Sequence, residues 1–574
     1  MSSKMQRAKC KEIAWHCMLE LTSSKRINNM TKIRIALLFT MIAITSGLVR
    51  AQKDLPSGQV DVVKNFEARL LETEKIGLKP SLPQLDTATR RQKYDVIPKN
   101  LAVEYLPPKI RPLGMRSEAV AKGYNGYAKL GAGFPGSFYG EGSYNIAKKN
   151  LDFGLNLLHH SANNNKKTEN QRFSDNKFGI NGAYYFDQGF AVGANLGYSR
   201  NSVYYYGYND LNEETGTDFS FEPDEVKQRF STFDAGVSIF NGVRTQGDLN
   251  YHAGFKLYNL NDNYAARETG FELDLNATKW FSEKHPLRIG LKTDLTSYRD
   301  TAKQSLNNFF LQPNFTFHGE RFRAKIGVNI ATSNDKFSFF PDVEVSANII
   351  EGVVGAFIGA EGSLQKNNFR ALSEYNPFVS SRINIQNTSY MHYYGGVKGN
   401  ISGIDYNAQV GFKQADDLAL FLLNSQTDSI ARFDVLYDTV DIFTLKASLN
   451  APLFKGFELT GTVSQNVYSP KNQEKAWHLP ALTVNVGAKY TTMEDKLTVR
   501  GEFFLENGVP YLNSNNEADN LNALFDVSVG VDYFFTKNIG AFINIYNLAN
   551  NHRQRWQRYP TFGLNALFGV TARF

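Results

Sequence analysis

The chain of 574 residues has only two cysteines, Cys10 and Cys17, and both precede the segment read below as a cleaved leader. The exported portion therefore carries no cysteine, which excludes a disulfide-stapled scaffold and any thiolate metal site. After the leader there is no apolar run of about 18 residues or more, so no spanning helix can be drawn. An excess of charge of either sign is missing too. The first 51 residues hold nine of the 63 Lys and Arg and two of the 56 Asp and Glu, leaving 54 of each sign. The formal +7 thus belongs to the leader, and no nucleic-acid partner is implied.

The leader is "MTKIRIALLFTMIAITSGLVRAQ", Met30 to Gln52. Lys32 and Arg34 form a basic start, an apolar run extends from Ile35 to about Val49, and Val49-Arg50-Ala51 resembles a cleavage triplet. This is the layout of a secretory signal peptide cleaved after Ala51, and the apolar run is short for an anchor. Residues 1–29 read as an over-extended start, with Met30 as the initiator. Residues 52–116 follow as a Pro-rich arm, with Pro80, Pro83, Pro98, Pro107, Pro108 and Pro112 among charged residues. Repeated proline opposes regular helix and central strand and favours extended backbone.

What the chain has in abundance is aromatic and glycine residues, 43 Phe, 29 Tyr and 45 Gly, at a mean hydropathy of only −0.37. From about residue 117 these fall into period-two alternation, the side-chain period of a strand. "FAVGANLGY" sets Phe190, Val192, Ala194, Leu196 and Tyr198 on one face against Gly193, Asn195 and Gly197. "IDYNAQVGFK" sets Ile404, Tyr406, Ala408, Val410 and Phe412 against Asp405, Asn407, Gln409 and Lys413. A dry sandwich core could not bury that second set in a row, whereas a water-filled lumen accepts it. Short turns at Asp187–Gly189, Ser282–His285, His318–Glu320, Ile350–Gly352, Ser402–Gly403, Phe454–Gly456, Met493–Asp495 and Thr536–Asn538 alternate with longer polar loops. The longest loops are Asn209–Asp224, Asn367–Thr388, Ser469–Leu479, Asn507–Asn520 and Asn550–Tyr559. Short periplasmic turns and long outer loops are the arrangement of a transmembrane antiparallel β-barrel in the outer membrane. Placing hairpins between the marks predicts about 22 strands, within 18 to 22. The domains expected are 1–51 leader and signal peptide, 52–116 periplasmic arm and 117–574 barrel.

The chain ends on "LNALFGVTARF", where Leu564, Ala566, Phe568, Val570, Ala572 and Phe574 share one face. We read this as a lipid-facing stripe on the closing strand. Its bare aromatic end resembles the C-terminal signal that the barrel assembly machinery recognises. On the same register Lys398, Asp405, Lys413, Lys489, Asp526 and Asp532 point inward and would line the lumen. Chemistry beyond that is sparse. "GAGFPG", Gly131 to Gly136, has dinucleotide-motif spacing, but another alternating strand follows where a helix is required. His159 and His160 are neighbours on a strand and so point to opposite faces, and His252, His318 and His392 have no partner visible in sequence. No cofactor, metal or enzymatic activity is expected.

The last segment, "IGAFINIYNLANNHRQRWQRYPTFGLNALFGVTARF", resembles the end of TonB-dependent receptor barrels. These commonly close with an Asn-Leu pair (here Asn547-Leu548), an aromatic-rich loop (here Trp556, Tyr559 and Pro560) and a final strand ending in Phe. The arm, with "LPSGQVDVVKNFEARLLETEKI" and "LPPKIRPLGM", is similar to exported TonB-dependent-receptor-like barrel proteins of Bacteroidota. Such receptors carry a plug of well over 100 residues before the barrel, and the arm is too short to be one. The resemblance implies a plugless transporter or solute-binding channel in the cell outer membrane. The alternative expectation is a structural or assembly scaffold whose barrel anchors residues 52–116 to a periplasmic partner protein.

Overall fold

The computed structural model describes residues 123–574 apart from 244, 246, 335 and 425–429. The leader, the cleavage point Ala51 and the arm 52–116 lie outside the described residues. The described residues form one closed 22-stranded antiparallel sheet, the upper end of the expected range. We number the barrel strands β1 to β22 along the chain. Closure is made by β1 (Gly126–Phe134) pairing with β22 (Asn565–Arg573), from Tyr127 opposite Arg573 to Phe134 opposite Ala566.

The wall follows the alternation residue by residue. On β22, Phe568 and Val570 are 61% and 57% exposed, while Leu567 and Thr571, which flank them, are buried. The same holds for Leu196 and Tyr198, Val410 and Phe412, and Ile289 and Leu291, which stand on the outer face. An outer face of this kind has acyl chains as its natural neighbour, and the polar residues between face the lumen. The architecture is that of an outer-membrane β-barrel. No described helix is long and apolar enough to cross a membrane.

All eight short turns read from the sequence fall at one end of the barrel. Ser402 and Gly403 join two strands with φ of +54° and +87°, the doubly positive pair of a tight hairpin that matches strand twist. The five long loops fall at the other end. That end also has short connections, at 135–136 and 300–302, so the rim is uneven. The "GAGFPG" stretch is the end of β1 and its turn. β15 (Ile404–Leu423) and β16 (Phe433–Phe454) are the longest strands, 20 and 22 residues. The apolar "LALFLL" of β15 extends above the wall, where Leu420, Phe421 and Leu423 are buried by the loops.

Candidate functional site at the outer mouth

Residues 368–385, between β13 (Val354–Asn367) and β14 (Gln386–Ile401), cross the mouth as a strap. Two short helices lie at the loop end, α1 (Tyr208–Thr215) and α2 (Phe369–Tyr375), and α2 opens the strap. Asn368 caps α2, its side chain accepting from Ala371 N at 3.1 Å. The cap is fixed to the wall by Glu268, a buried carboxylate at the start of β8 (Arg267–Phe281). Glu268 accepts from Asn368 Nδ2 at 2.7 Å, Phe369 N at 2.7 Å, Arg370 N at 3.2 Å and Tyr258 OH at 2.9 Å. Buried carboxylates persist only with such a full set of donors. Arg370 then pairs with Asp234 at 2.6 Å on β6 (Lys227–Asn241).

The later part of the strap is held by the segment just after β5 (Phe190–Tyr204) and by β10 (Lys303–His318). Tyr205 OH donates to Val379 O at 3.1 Å and Gln304 Nε2 to Ile383 O at 2.7 Å. Ser380 N donates to Phe433 O at 2.7 Å and Phe433 N to Phe378 O at 3.0 Å, tying the strap to β16. The 547–564 loop locks over it. Tyr559 stacks on Phe378 with ring centres 3.7 Å apart and donates to Ala431 O at 2.9 Å. Gln171 Nε2 donates to Pro560 O at 2.8 Å, Gln557 Nε2 to Leu512 O at 3.0 Å, and Arg558 pairs with Glu214 at 2.8 Å. Five outer loops are thus joined through one aromatic cluster, which contains Trp556 and Tyr559 of the loop singled out in the sequence.

Burial strongly perturbs several titratable groups in these loops, His478 and Asp210 among them. His478 is fully buried, with Nδ1 2.8 Å from Phe421 O, its ring stacked 5.5 Å from Trp556, and Gln557 N donating to Nε2 at 3.4 Å. Burial, with the Arg555 cation nearby, holds its pKa down to about 3, so the ring is neutral. Asp210 on α1 is pushed up to about 6 by burial and by Glu213 and Glu214.

Below α2 lies a cavity of about 320 Å³, lined by Lys256, Lys366 and Arg370 against Asp234, Glu272 and Glu374. The cations and anions are largely paired, with Lys256 Nζ 2.9 Å from Glu272, so no field of one sign results.

The six sequence-predicted inward residues all lie on the face opposite the exposed apolar stripe, but the structure does not gather them into one site. Lys398 and Lys413 stand over the rings of Phe357 and Tyr390, at 5.0 and 4.6 Å. Asp405 accepts from Asn400 Nδ2 at 2.7 Å, and Asp526 from Ser528 Oγ at 2.7 Å. Lys489, on β18 (Leu482–Thr492), faces inward in register with Arg500 on the neighbouring strand. Asp532 is buried between Lys129, at 3.0 Å, and Arg500, so it meets side chains before it meets water. His392 has a partner the sequence hid, Glu361 on the adjacent strand, 3.2 Å from Nδ1. Among the described residues no group of three or more His, Cys, Asp or Glu is placed to hold a metal ion.

No family model matches the sequence, and no curated protein matches it either. Solved structures do match the fold. The ferric-catecholate import receptor of Escherichia coli K12 superposes with a TM-score of 0.61 at 8% identity, covering 79% of this chain and 82% of that one. The iron transporter of Neisseria meningitidis gives 0.61 at 9% identity, covering 79% and 82%. The outer-membrane ferripyoverdine receptor of Pseudomonas aeruginosa gives 0.57 at 12% identity, covering 79% and 72%. At these identities the likeness is one of fold. It agrees with the barrel that the closing segment led us to expect.

Proposed function

We propose that this chain is an outer-membrane transporter or solute-binding channel of the TonB-dependent-receptor kind, with its own strap and outer loops supplying the closure. The observation that carries this reading is the strap itself. A 22-stranded barrel left open would leak badly, and here a segment anchored at β6 to β10 and at β16 bridges the mouth above a polar wall. A solute descending past the strap would meet Lys398, Asp405, Lys413, Lys489 and Asp526. The structurally similar proteins include a ferric-catecholate import receptor and a receptor bound to ferripyoverdine, which makes ferric chelates the first cargo to test. Uptake of radio-iron chelates in a deletion strain and its complemented parent measures this directly. Equal uptake across a panel of chelates and of iron-free organic solutes would end the transport reading. The scaffold alternative predicts instead a periplasmic protein captured by photocrosslinks placed in residues 52–116, with uptake unaltered by deletion.

A further inference from the structure

Above the apolar wall, the outer surface of β8, β9 (His285–Arg299) and β10 carries a row of cations. Exposed Arg267 stands directly opposite exposed Arg299, and Arg299 opposite exposed Lys303. All three point outward, because Ala266, Glu268 and Tyr298 beside them are fully buried on the lumen side and Gln304 bonds the strap. Directly opposite side chains have Cβ atoms about 5 Å apart, and like charges so placed repel one another. Among the described residues, none of the three forms a side-chain hydrogen bond or an ion pair. The acids next to them in sequence are turned elsewhere: Asp300 accepts from Ala302 N at 2.8 Å, and Glu268 holds the strap. The described residues thus supply no anion to this row.

The rows beneath continue the pattern toward the membrane. One alternation lower, Thr269, Ser297 and Ser305 are again mutually opposite and make a line of hydroxyls. Three rows below them, Leu275, Leu291 and Leu311 stand opposite one another and exposed on the apolar wall. Counting up from Phe281 at the turn end, a rise of about 3.4 Å and a tilt of about 40° put Leu275 roughly 16 Å and Arg267 roughly 36 Å up the wall. An apolar band of about 25 Å therefore contains the leucines and leaves the cations about 10 Å above its top, among headgroups. The cationic sector continues on β6 and β5, where Lys227, Arg229 and Arg200 also point outward, and Lys227 lies 5.8 Å from the centre of the Tyr204 ring. At a comparable height on β15 and β16 the outward pair is Gln414 and Asp441. The cations thus belong to one sector of the rim and are not a general feature of it.

We propose that this sector docks a phosphate-bearing glycolipid of the outer leaflet. Its phosphates sit on Arg267, Arg299 and Lys303, where guanidinium forks match phosphate oxygens and the bound charge relieves the repulsion within the row. Its sugar oxygens meet the hydroxyls of Thr269, Ser297 and Ser305, and its acyl chains run down the outer wall over Leu275, Leu291 and Leu311. The site lies on the outside of the barrel and is independent of whatever crosses the lumen.

Native mass spectrometry of the full mature chain in neutral detergent, titrated with lipid A, dephosphorylated lipid A and phosphatidylglycerol, tests it. Lipid A should bind about tenfold or more tighter than either of the other two. Replacing the row together, by Arg267→Gln, Arg299→Gln and Lys303→Gln, should weaken lipid A about tenfold or more. The triple change Lys148→Gln, Lys149→Gln and Lys284→Gln removes the same charge from exposed positions at the turn end and should leave lipid A binding unaltered. Thermal unfolding gives a second reading. Without lipid the Arg267, Arg299 and Lys303 variant should melt no lower than the parent, since repulsion is relieved, and lipid A should raise the Tm of the parent alone. Equal lipid A binding by the two triple variants, or equal binding of the phosphorylated and dephosphorylated forms by the parent, would overturn the proposal. Phosphatidylglycerol bound as tightly as lipid A would overturn the choice of a glycolipid.

Discussion

Acidification should loosen the loop lock through His478, and the size of the effect follows from its surroundings. Its ring is neutral and its Nε2 accepts the Gln557 amide, so a proton on Nε2 both removes that acceptor and places a charge in an apolar cluster beside Arg555. The folded pKa is depressed to about 3 from an ordinary 6.5. The stability it confers is thus complete above pH 6.5 and is lost as pH falls toward 3. At pH 4.5, two units below the unfolded value, the loss is about 2.7 kcal/mol, or about a hundredfold in the population of the opened loops. Hydrogen exchange of the Gln557 amide, corrected for intrinsic rates, reads that population between pH 7.5 and 4.5. Asp210 works in the opposite direction, because its pKa is raised to about 6 and its neutral form is favoured as pH falls. Comparison with His478→Gln, which can keep one donor and one acceptor, subtracts that contribution. An unchanged pH slope in the variant would refute the assignment to His478.

Three further outcomes are expected. Glu268→Ala leaves the Phe369 and Arg370 amides without their acceptor, costs about 2–4 kcal/mol of strap docking, and should expose the strap to trypsin at Arg370 and Arg382; unchanged protection would count against Glu268 as the anchor. Replacing residues 368–385 by a short Gly-Ser turn should raise single-channel conductance well above that of the intact barrel. A large steady conductance from the intact protein would contradict closure by the strap. Gly133→Val places a Cβ about where the backbone oxygen of Ala566 lies, 1.7 Å away, so β1 and β22 should fail to close; retention of a heat-modifiable folded band on electrophoresis would disprove this.

The sequence made the wall legible because a strand shows its environment to every second residue, and a 22-strand wall repeats that statement many times. Turn chemistry such as Ser402-Gly403 was equally plain. Contacts across the lumen were not. Glu268 and Phe369 are neighbours only after the strap has folded in, and nothing near residue 268 announces a helix 101 positions later. Asp532 reads as an inward carboxylate like Asp526, yet closure of the barrel brings Lys129 from the other end of the chain onto it. The end of the ladder between residues 336–350 and 354–367 at the Asp342–Glu361 pair left one trace, Pro341 in an otherwise strand-forming run, whose meaning depends on where the neighbouring strand goes. The apolar "LALFLL" stretch stands out from its polar surroundings because of the loops that cover it, which local periodicity cannot reveal.

Anchorage of the strap both on β6 to β10 and on β16 has a mechanical consequence. A signal acting at one anchor alone would leave the other holding, so partial withdrawal gains little for whatever drives it. Release should be all-or-none, with an intermediate too sparsely populated to pass small ions, and the trigger would have to act where both anchors are felt together, at the stacked pair Phe378 and Tyr559.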